Sequence, residues 1–581
     1  MANQKAENIL NLALETPVSQ REQSDNLNVG YDVTNRTWEF IIKYSNSLEV
    51  LKWEFPEVIV EELLLGYAIL TIPEVSVAAV LSRPEIEYVE IPKKLYFADR
   101  SARAASCILE ITERYPNLTG AGVLVAVIDS GIDYTLPHFR NVDGTTRVKA
   151  LWDQGQVRSD TYLPPEGFAY GRLYTETDIN EALQNNIVLS EDISGHGTSV
   201  AGLLASSEVG DYKGVAPKSE LLVVKLGNSD RESFPRTTEL MRALSFVTRF
   251  ASERNQPIAI NISFGNSYGS HNGGSILERF IDNISEVGRS VICIGTGNEG
   301  ASGGHFSGRV PDRGELSVEI AVASYEPTLN LQIWKNYIDT YQIEIIAPLG
   351  ERFLLQEEVV GKVEVILGKS RLLIYVGEPR PYTTDQEIYI DFLPMGTYVD
   401  SGIWTVRMIA KDVKNGNTYM YLPSASARSS GTRFVRSTPE MTLTIPSTAT
   451  KAIAVGAYNS VYNAYADFSG RGAISQQSIL DATSIGAARP TLVAPGVSLQ
   501  VITPGGTYAY ASGTSFATPI VTGSAALLME WGIVRGEDIF MYGEKVKANL
   551  IRGSRRFAAE SEWPNARYGW GALCLKNSID V

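Results

Sequence analysis

The sequence predicts an α/β fold in which helices cover both faces of a parallel sheet, with a small α+β domain before it and an all-β domain inserted within it. Short, nearly continuous apolar runs, as in residues 122–129, 221–226, 257–262 and 291–295, are typical of parallel strands that are buried on both faces. Helix-like stretches separate these runs, whereas residues before 98 and between 310 and 439 follow different patterns.

Residues 1–97 are predicted to form the N-terminal α+β domain, folded from about residue 37 onward. WEFIIKY (38–44) has a strand pattern, Glu61–Ile72 indicates two strands paired around a glycine turn, and Val75–Leu81 indicates a short helix. IEYVEIP (86–92) follows as another strand, and the residues before 37 are polar and irregular.

Residues 98–309 and 440–581 are predicted to form the two parts of the α/β domain, and residues 310–439 the insertion. Within the insertion, seven short strand candidates separated by turn residues are typical of a β-sandwich or jelly roll. The helices predicted for the α/β part are Thr198–Ser206, Thr237–Ser252, Ser275–Val287, a long helix from Gly513, and Glu537–Ile551.

Composition excludes some classes of function. A net charge of −15 argues against general electrostatic binding of nucleic acid. No run approaches the roughly 18 apolar residues of a membrane span, and the N-terminus lacks the pattern of a signal peptide, so we expect cytoplasmic synthesis. Cys107, Cys293 and Cys574 are odd in number and far apart, so we expect reduced, buried thiols.

Four segments carry the residues that peptide hydrolysis by a serine requires. VIDSGID contains Asp129, SGHGTSVAG contains His196, GTGNEG contains Asn298 and SGTSFATP contains Ser515. They supply an acid that orients a base, the base, an oxyanion donor and a nucleophile. Taken singly, Asp129 and Asn298 could be turn residues, His196 could be a core histidine and Ser515 could be a helix cap. The four residues together, in this order and with these flanking sequences, predict catalysis.

Local sequence indicates how these side chains are presented. Ser515 lies where a glycine-containing loop meets a helix, at the positive end of the helix dipole, and Pro519 falls in about the first turn, where proline costs least. His196 also opens a helix, and Asp129 ends a buried strand, which would fix one tautomer of the imidazole. The side-chain amide of Asn298 and the N–H of Ser515 would stabilise the oxyanion.

The order Asp129, His196, Ser515 and the GTSFATP segment resemble the active-site motifs of the subtilase family of serine endopeptidases. The resemblance implies a subtilisin-like parallel sheet. It also implies that Ser263, Phe264 and Gly265, in NISFG, pair with extended substrate. Gly295, Thr296 and Gly297 would then line the opposite wall of the pocket for the residue before the scissile bond.

Two features depart from a minimal subtilase. The position nine residues after the catalytic aspartate often binds calcium in the family, but here it is His138, so no metal is assigned and a calcium ion at that site is in doubt. In addition, 217 positions (515 − 298) separate Asn298 from Ser515. The insertion, the N-terminal domain and the lack of a signal peptide together resemble the clostridial Csp germination proteases, which implies activation of a spore cortex-lytic zymogen.

The family resemblance also implies that the N-terminal domain is a propeptide that is cut by the enzyme itself. Counting back about thirty residues from Asp129 predicts cleavage within Lys94–Arg100, with Tyr96 or Phe97 in the pocket. The cut propeptide would remain bound as an inhibitor; the alternative is a permanent, uncleaved domain.

Other functional classes remain to be weighed against an active protease with a protein or peptide substrate. A non-enzymatic scaffold with a protease fold is the main alternative, although the triad is intact. An adhesin or carbohydrate-binding module would need an export signal or wall anchor, and a lipase would favour G-x-S-x-G over the G-T-S-F-A around Ser515. The insertion could brace the α/β part or bind a partner or carbohydrate.

Overall fold

The computed structural model describes residues 5–21, 27–92, 98–227, 235–356, 360–379, 383–473 and 489–579. Contacts divide the chain into two units, Met1–Phe97 and Ala98–Val581. Residues 93–97, which include Tyr96 and Phe97, lie outside the described residues.

The N-terminal unit is an antiparallel sheet with short helices. Alternation within Thr37–Tyr44 buries Trp38, Phe40 and Ile42, and Ile59–Glu62 pairs with Tyr67–Pro73 as predicted. In sheet order, the strands are Tyr31–Asp32, Thr37–Tyr44, Tyr67–Pro73 and Ile59–Glu62, and Ile86–Glu90 also pairs with the second of them. The helices are Asn8–Glu15, Val18–Arg21, Glu49–Glu54 and Val77–Leu81.

The prediction that folding begins near residue 37 is wrong. Asn8–Glu15 is a helix, and its Leu10 and Ala13 are fully buried in the core of this unit. The amphipathic spacing is only about two turns long, and Asn11 interrupts its apolar run, so the sequence signal was weak.

The second unit is built on the predicted parallel sheet. Alternate residues of the central strand Leu124–Asp129 enter different cores: Val125 and Val127 face one layer, and Ala126 and Ile128 face the other. Helices therefore cover both faces. In sheet order, the strands are Ala464–Tyr465, Ile453–Asn459, Ser290–Gly295, Ile258–Ile262, Leu124–Asp129, Glu220–Lys225, Val148–Asp153 and Arg172–Thr175. The first and the last of these are antiparallel to their neighbours, and Leu492–Pro495 also pairs with the second strand.

The five predicted helices occur in the predicted order with one shift, whereas Ala98–Ala105, Ile108–Arg114, Glu176–Asn185 and Leu575–Ile579 were not predicted. The predicted helix Glu537–Ile551 begins only at Glu544, because Gly536 and Gly543 adopt positive φ and turn the chain first. The helices are Ala98–Ala105, Ile108–Arg114, Glu176–Asn185, His196–Ala205, Thr237–Glu253, Ile276–Ile284, Thr514–Met529, Glu544–Gly553 and Leu575–Ile579. A π-helical turn, Glu530–Val534, extends the helix that starts at Thr514.

The segment Thr514–Val534 is the one helix among the described residues that is long and apolar enough to cross a membrane, but 83% of its apolar window is buried in the protein. It packs against the central sheet, which is the position of a core helix.

The insertion forms two antiparallel sheets that share one apolar core. Its strands begin at His305 and end at Phe434, slightly before the predicted limits of 310 and 439. The six-stranded sheet runs His305–Arg309, Asn417–Tyr421, Leu329–Asn336, Asp385–Pro394, Ser370–Val376 and Gly361–Leu367. The five-stranded sheet runs Arg352–Leu355, Thr340–Ile346, Gly402–Asp412, Glu315–Val322 and Arg433–Phe434. A separate hairpin, Leu499–Ile502 with Tyr508–Ala511, precedes Ser515.

The expectation of three reduced cysteines is wrong. Cys107 and Cys574 form a disulfide across 467 positions, with their Cα atoms 4.8 Å apart, and Cys293 is free and buried. The backbone N–H of Leu575 donates to the carbonyl of Ser106 (2.9 Å), so the two ends of the unit meet there. Sequence spacing alone could not reveal a contact of such long range.

Candidate active site

The acid and the base lie at the carboxyl edge of the sheet. Asp129 ends its strand fully buried, and its Oδ1 accepts hydrogen bonds from the Ser130 N–H and from His196 Nδ1, both at 2.7 Å. His196 begins its helix with 30% of its side chain exposed. Burial lowers the pKa of the His196 imidazole, but the charge and hydrogen bond of Asp129, with a smaller contribution from Asp192, raise it by more, so the net shift is upward.

Asp192 is a site residue that the motif analysis missed. One of its carboxylate oxygens accepts from Ser130 Oγ (2.8 Å) and the Gly195 N–H (3.1 Å), and the other accepts from the N–H and hydroxyl of Thr198. Asp192 is therefore a buried anion at the N-terminus of the His196 helix. An acidic residue just before a predicted helix start was the available signal.

Ser515 is the second residue of the helix Thr514–Met529, hereafter the nucleophile helix. Its Oγ donates to the Ser263 carbonyl at 3.4 Å, and among the described residues no hydrogen bond joins it to His196. The predicted position of Pro519 in about the first turn is wrong, because Pro519 is the sixth residue of this helix.

The location of Pro519 has a structural consequence at the nucleophile. Because proline has no N–H, the Ser515 carbonyl lacks its usual helical donor four residues on. The Ser263 hydroxyl donates to that carbonyl instead (3.2 Å), and the Asn261 amide donates to the Ser263 hydroxyl (3.0 Å). The predicted substrate strand is thus fastened to the nucleophile helix by side chains.

The orientation of the Asn298 amide is set by its neighbour. Asn298 Oδ1 accepts from the Thr514 N–H (3.0 Å) and the Thr514 hydroxyl (3.2 Å). Since a backbone N–H can only donate, the oxygen must face Thr514, which leaves Nδ2 as the donor for another group. Nδ2 lies 3.3 Å from the Cβ position that Gly513 lacks, so a side chain there would crowd it.

A cavity of about 390 Å³ lies beside these groups. Four predicted groups line it: Ser263–Gly265, Gly295 with Gly297, Asn298 and Ser515. Thr296 does not line it, because the chain alternates sides: Thr296 is fully buried and its hydroxyl faces Ser469 at 3.5 Å. The lining residues that the sequence did not predict are Glu299, Ser424, Ala425, Ser426, Thr444 and Thr514.

His138 does not belong to a metal site in the described part of the chain, which contains no group of three His, Cys, Asp or Glu side chains arranged to hold an ion. His138 Nε2 hydrogen-bonds the Tyr508 hydroxyl (3.0 Å), and its carbonyl accepts from the buried Arg147 guanidinium (2.9 Å). The same guanidinium donates to the carbonyls of Ser219 (2.7 Å) and Ala205. The carbonyls of His138, Ala205 and Ser219 are therefore arranged around the Arg147 guanidinium.

Comparisons with known proteins identify the family. The model of the subtilase family matches residues 120–378 and 402–571, and the model of the Csp protease B prodomain matches residues 4–93. The solved structure of the Clostridium perfringens CspB protease is similar, with 33% sequence identity and a TM-score of 0.75, and the match covers 82% of this chain and 96% of that one.

Curated relatives match over shorter stretches. The PI-type proteinase of Lactococcus lactis subsp. cremoris is 26% identical over 233 residues, which are 38% of this chain and 12% of that proteinase. The serine protease AprX of Bacillus subtilis is 30% identical over 208 residues, which are 34% of this chain and 38% of AprX. The chain thus spans a small part of the Lactococcus proteinase. Since the family model matches more than half of this chain, the protein belongs to the subtilase family of serine proteases.

Proposed function

We propose that the protein is an endopeptidase in which Ser515 is the nucleophile, His196 the general base and Asp129 the residue that orients the base. The observation that carries this proposal is the 2.7 Å hydrogen bond between His196 Nδ1 and the fully buried Asp129 carboxylate. It assigns the proton to Nδ1 and leaves Nε2 as the nitrogen that can accept one.

In the first half of the reaction, Ser515 Oγ attacks the scissile carbonyl carbon while its proton passes to His196 Nε2. The carbonyl oxygen becomes an oxyanion, which the Asn298 Nδ2 amide and the Ser515 N–H stabilise. Collapse of the tetrahedral intermediate breaks the C–N bond, and the imidazolium gives its proton to the departing amine. In the second half, water repeats these steps on the acyl-enzyme and releases the acid and free Ser515.

Active-site labelling tests this assignment. A fluorophosphonate, incubated to completion, should add one label to the wild type and none to Ser515→Ala, and His196→Ala should react at least about 10³-fold more slowly. Equal labelling of wild type and Ser515→Ala would contradict the nucleophile. Failure of a correctly folded wild type to react, both as purified and after proteolytic removal of the N-terminal unit, would favour the alternative, a non-enzymatic scaffold or regulator built on the same fold.

The N-terminal unit supports a proposal of self-processing. Its match to the Csp protease B prodomain and its own compact core fit a propeptide that is cut within Lys94–Arg100, with Tyr96 or Phe97 in the pocket, and that stays bound as an inhibitor. Wild type should purify as two co-eluting fragments. A single intact chain, or loss of the small fragment on gel filtration, would contradict this proposal.

The similarity to the CspB protease supports a role in spore germination, with a cortex-lytic zymogen as substrate. Incubation of such a purified zymogen with the wild type should yield one new N-terminus, which is absent with Ser515→Ala. No cleavage, or the same cleavage with both proteins, would contradict the role.

For the insertion, we propose a β-sandwich domain that braces the loop following the substrate strand. The Gln332 side chain accepts from the Gly269 N–H (2.9 Å) and donates to the Ser267 carbonyl (3.2 Å), and Asn330 donates to the Tyr268 hydroxyl (3.1 Å). Replacing the insertion by a short linker should lower the melting temperature; an unchanged melting temperature would rule bracing out.

A further inference from the structure

The insertion reaches the substrate cavity itself. A short turn, Ser424–Ser426, lines that cavity together with Glu299 and with the two walls that the family resemblance implies. We call Ser424–Ser426 the insert turn. It is a feature of this chain's insertion, and its meaning rests on the proposed function, because a pocket wall selects substrate only in an active protease.

The topology of the insertion explains why the turn lies there. The chain leaves the α/β part just after Glu299 and enters the strand His305–Arg309, which pairs antiparallel with Asn417–Tyr421. The pairing sets His305 opposite Tyr421, so the chain returns to the place that it left. The next residues, Pro423 onward, emerge beside the cavity.

Several hydrogen bonds fix the insert turn. The Ala425 N–H donates to both oxygens of the Glu299 carboxylate (3.1 and 3.3 Å), and the hydroxyls of Ser424 and Ser267 are 3.0 Å apart. The buried Arg428 guanidinium donates to the carbonyls of Pro423 (2.8 Å) and Ser302 (2.9 Å). The wall is therefore held from both the insertion and the α/β part.

Thr444 closes the base of the cavity. A Cβ on Gly265 would lie 2.5 Å from the Thr444 hydroxyl oxygen, and a Cβ on Gly297 would lie 2.3 Å from its methyl carbon. Both glycine walls thus rest against this one buried side chain. The depth available to a substrate side chain is limited by Thr444, and its lateral room by the insert turn.

The charges around the cavity favour an uncharged occupant. Glu299 is the one charged side chain in the lining among the described residues, and it already accepts the Ala425 N–H. Burial lowers the pKa of Arg428, while the charges of Glu299 and Glu326 partly oppose that shift. An acidic substrate side chain would meet the Glu299 carboxylate, and a basic one would have to compete for it with the Ala425 N–H.

We propose that the insert turn is a specificity-determining wall of the pocket for the residue before the scissile bond, and that it selects peptides with an uncharged side chain at that residue. The methyl group of Ala425 and the hydroxyls of Ser426 and Thr444 are the side-chain groups that such a residue would contact.

Two matched variants test the wall. Ala425→Leu enlarges a lining residue, whereas Ala427→Leu makes the same change two residues away, at an exposed position of the same short 3₁₀ turn that does not line the cavity. Peptidyl phosphonates that differ only in the residue before the phosphorus (Ala, Asn, Leu, Phe, Lys or Glu) report the preference as a rate of covalent labelling, normalised to the fluorophosphonate rate of the same protein.

The wild type should react with the Ala or Asn reagent at least about tenfold faster than with the Lys or Glu reagent. Ala425→Leu should slow the Leu and Phe reagents by about tenfold relative to Ala, and Ala427→Leu should match the wild type. Identical profiles for the two variants, or fastest labelling by a charged reagent, would overturn the proposal. Normal fluorophosphonate labelling together with either of these two results would refute only the wall. Absence of fluorophosphonate labelling even after proteolytic removal of the N-terminal unit would refute the proposed function.

Discussion

Two histidines show how differently the two parts of the second unit use the same side chain. His196, at the active site, gives its Nδ1 proton to a carboxylate and stays partly exposed, and the pKa of its imidazole is raised. His305, where the insertion meets the α/β part, gives its Nδ1 proton to the Met420 carbonyl (3.0 Å) and stacks on Tyr421 with ring centroids 4.4 Å apart. Burial lowers the pKa of His305 to about 3.

The partner of Nδ1 accounts for the opposite pKa shifts of His196 and His305. A carboxylate stabilises the imidazolium that forms when His196 takes a proton, whereas a neutral carbonyl in a dry interface cannot offset the loss of water. A second buried histidine, His271, also stacks on Tyr421 (3.9 Å), and burial lowers its pKa as well. The contacts of His196 fit a role in proton transfer, whereas those of His305 and His271 fit a role in packing.

Replacing the carboxylate at the active site should have the largest effect. Asp129→Asn keeps the shape of the side chain but favours the wrong tautomer of the His196 imidazole. We therefore expect the rate of fluorophosphonate labelling or of self-cleavage to fall by about 10⁴-fold. The corresponding change at the junction, His305→Asn, should leave this rate within a few fold of the wild-type rate. Similar losses in both variants would mean that the two regions do not differ as described.

The pH profile of the active site follows from the same contact. Because His196 acts as a base only when neutral and its pKa is raised, the acid limb of the labelling rate should have its midpoint above pH 6.5. A midpoint below 6.5 in the wild type would contradict the role of the Asp129 charge.

Removal of the oxyanion donor should have the next largest effect. Asn298→Ala deletes Nδ2 and should lower the rate of self-cleavage by about 10²–10³-fold. Because Asn298 Oδ1 also accepts from Thr514, a melting curve of the variant serves as the control. An unchanged rate in a folded variant would show that Asn298 is only a helix-anchoring residue.

Arg147→Met should destabilise the α/β part, because it removes the guanidinium that donates to the buried carbonyls of Ala205 and Ser219 and to that of His138, which keeps the Ser207 N–H as a donor. We expect a loss of about 3 kcal/mol in the free energy of unfolding, measured by denaturant, with Arg254→Met, an exposed position of the same unit, as control. An equal loss of stability in both variants would contradict this role of Arg147.

The smallest effect is expected at the junction. The unfolded state binds a proton on His305 below about pH 6.5, whereas the folded state does not until about pH 3, so this group loses its stabilising contribution as the pH falls. By about pH 4.5 the loss approaches 2–3 kcal/mol. His305→Asn should reduce the acid slope of the free energy of unfolding; an identical slope in the variant would show that the imidazole titrates elsewhere.

The sequence predicted what is local. Asp129, His196, Asn298 and Ser515 each lie in a short segment whose strand end, helix start or glycine turn determines how the side chain is presented, and the periodicity of the buried strands predicted the sheet. The sequence was a poorer guide to the side of the chain on which a residue faces, as at Thr296, and to the exact position of a residue within a helix, as at Pro519.

What the sequence could not predict depends on long-range contacts. Cys107 meets Cys574 only because both ends of the unit converge, and Ser424–Ser426 reaches the cavity only because the strands that enter and leave the insertion are paired. Arg147 finds its carbonyl partners on three different segments. No spacing along the chain encodes these contacts.

The proposal that the polar groups around Ser515 form a working catalytic site is tested most directly by the intact mass of the full-length wild type beside Ser515→Ala, purified in parallel. The wild type should divide within Lys94–Arg100, and Ser515→Ala should remain whole. Two intact chains, or the same cut in both proteins, would contradict the proposal.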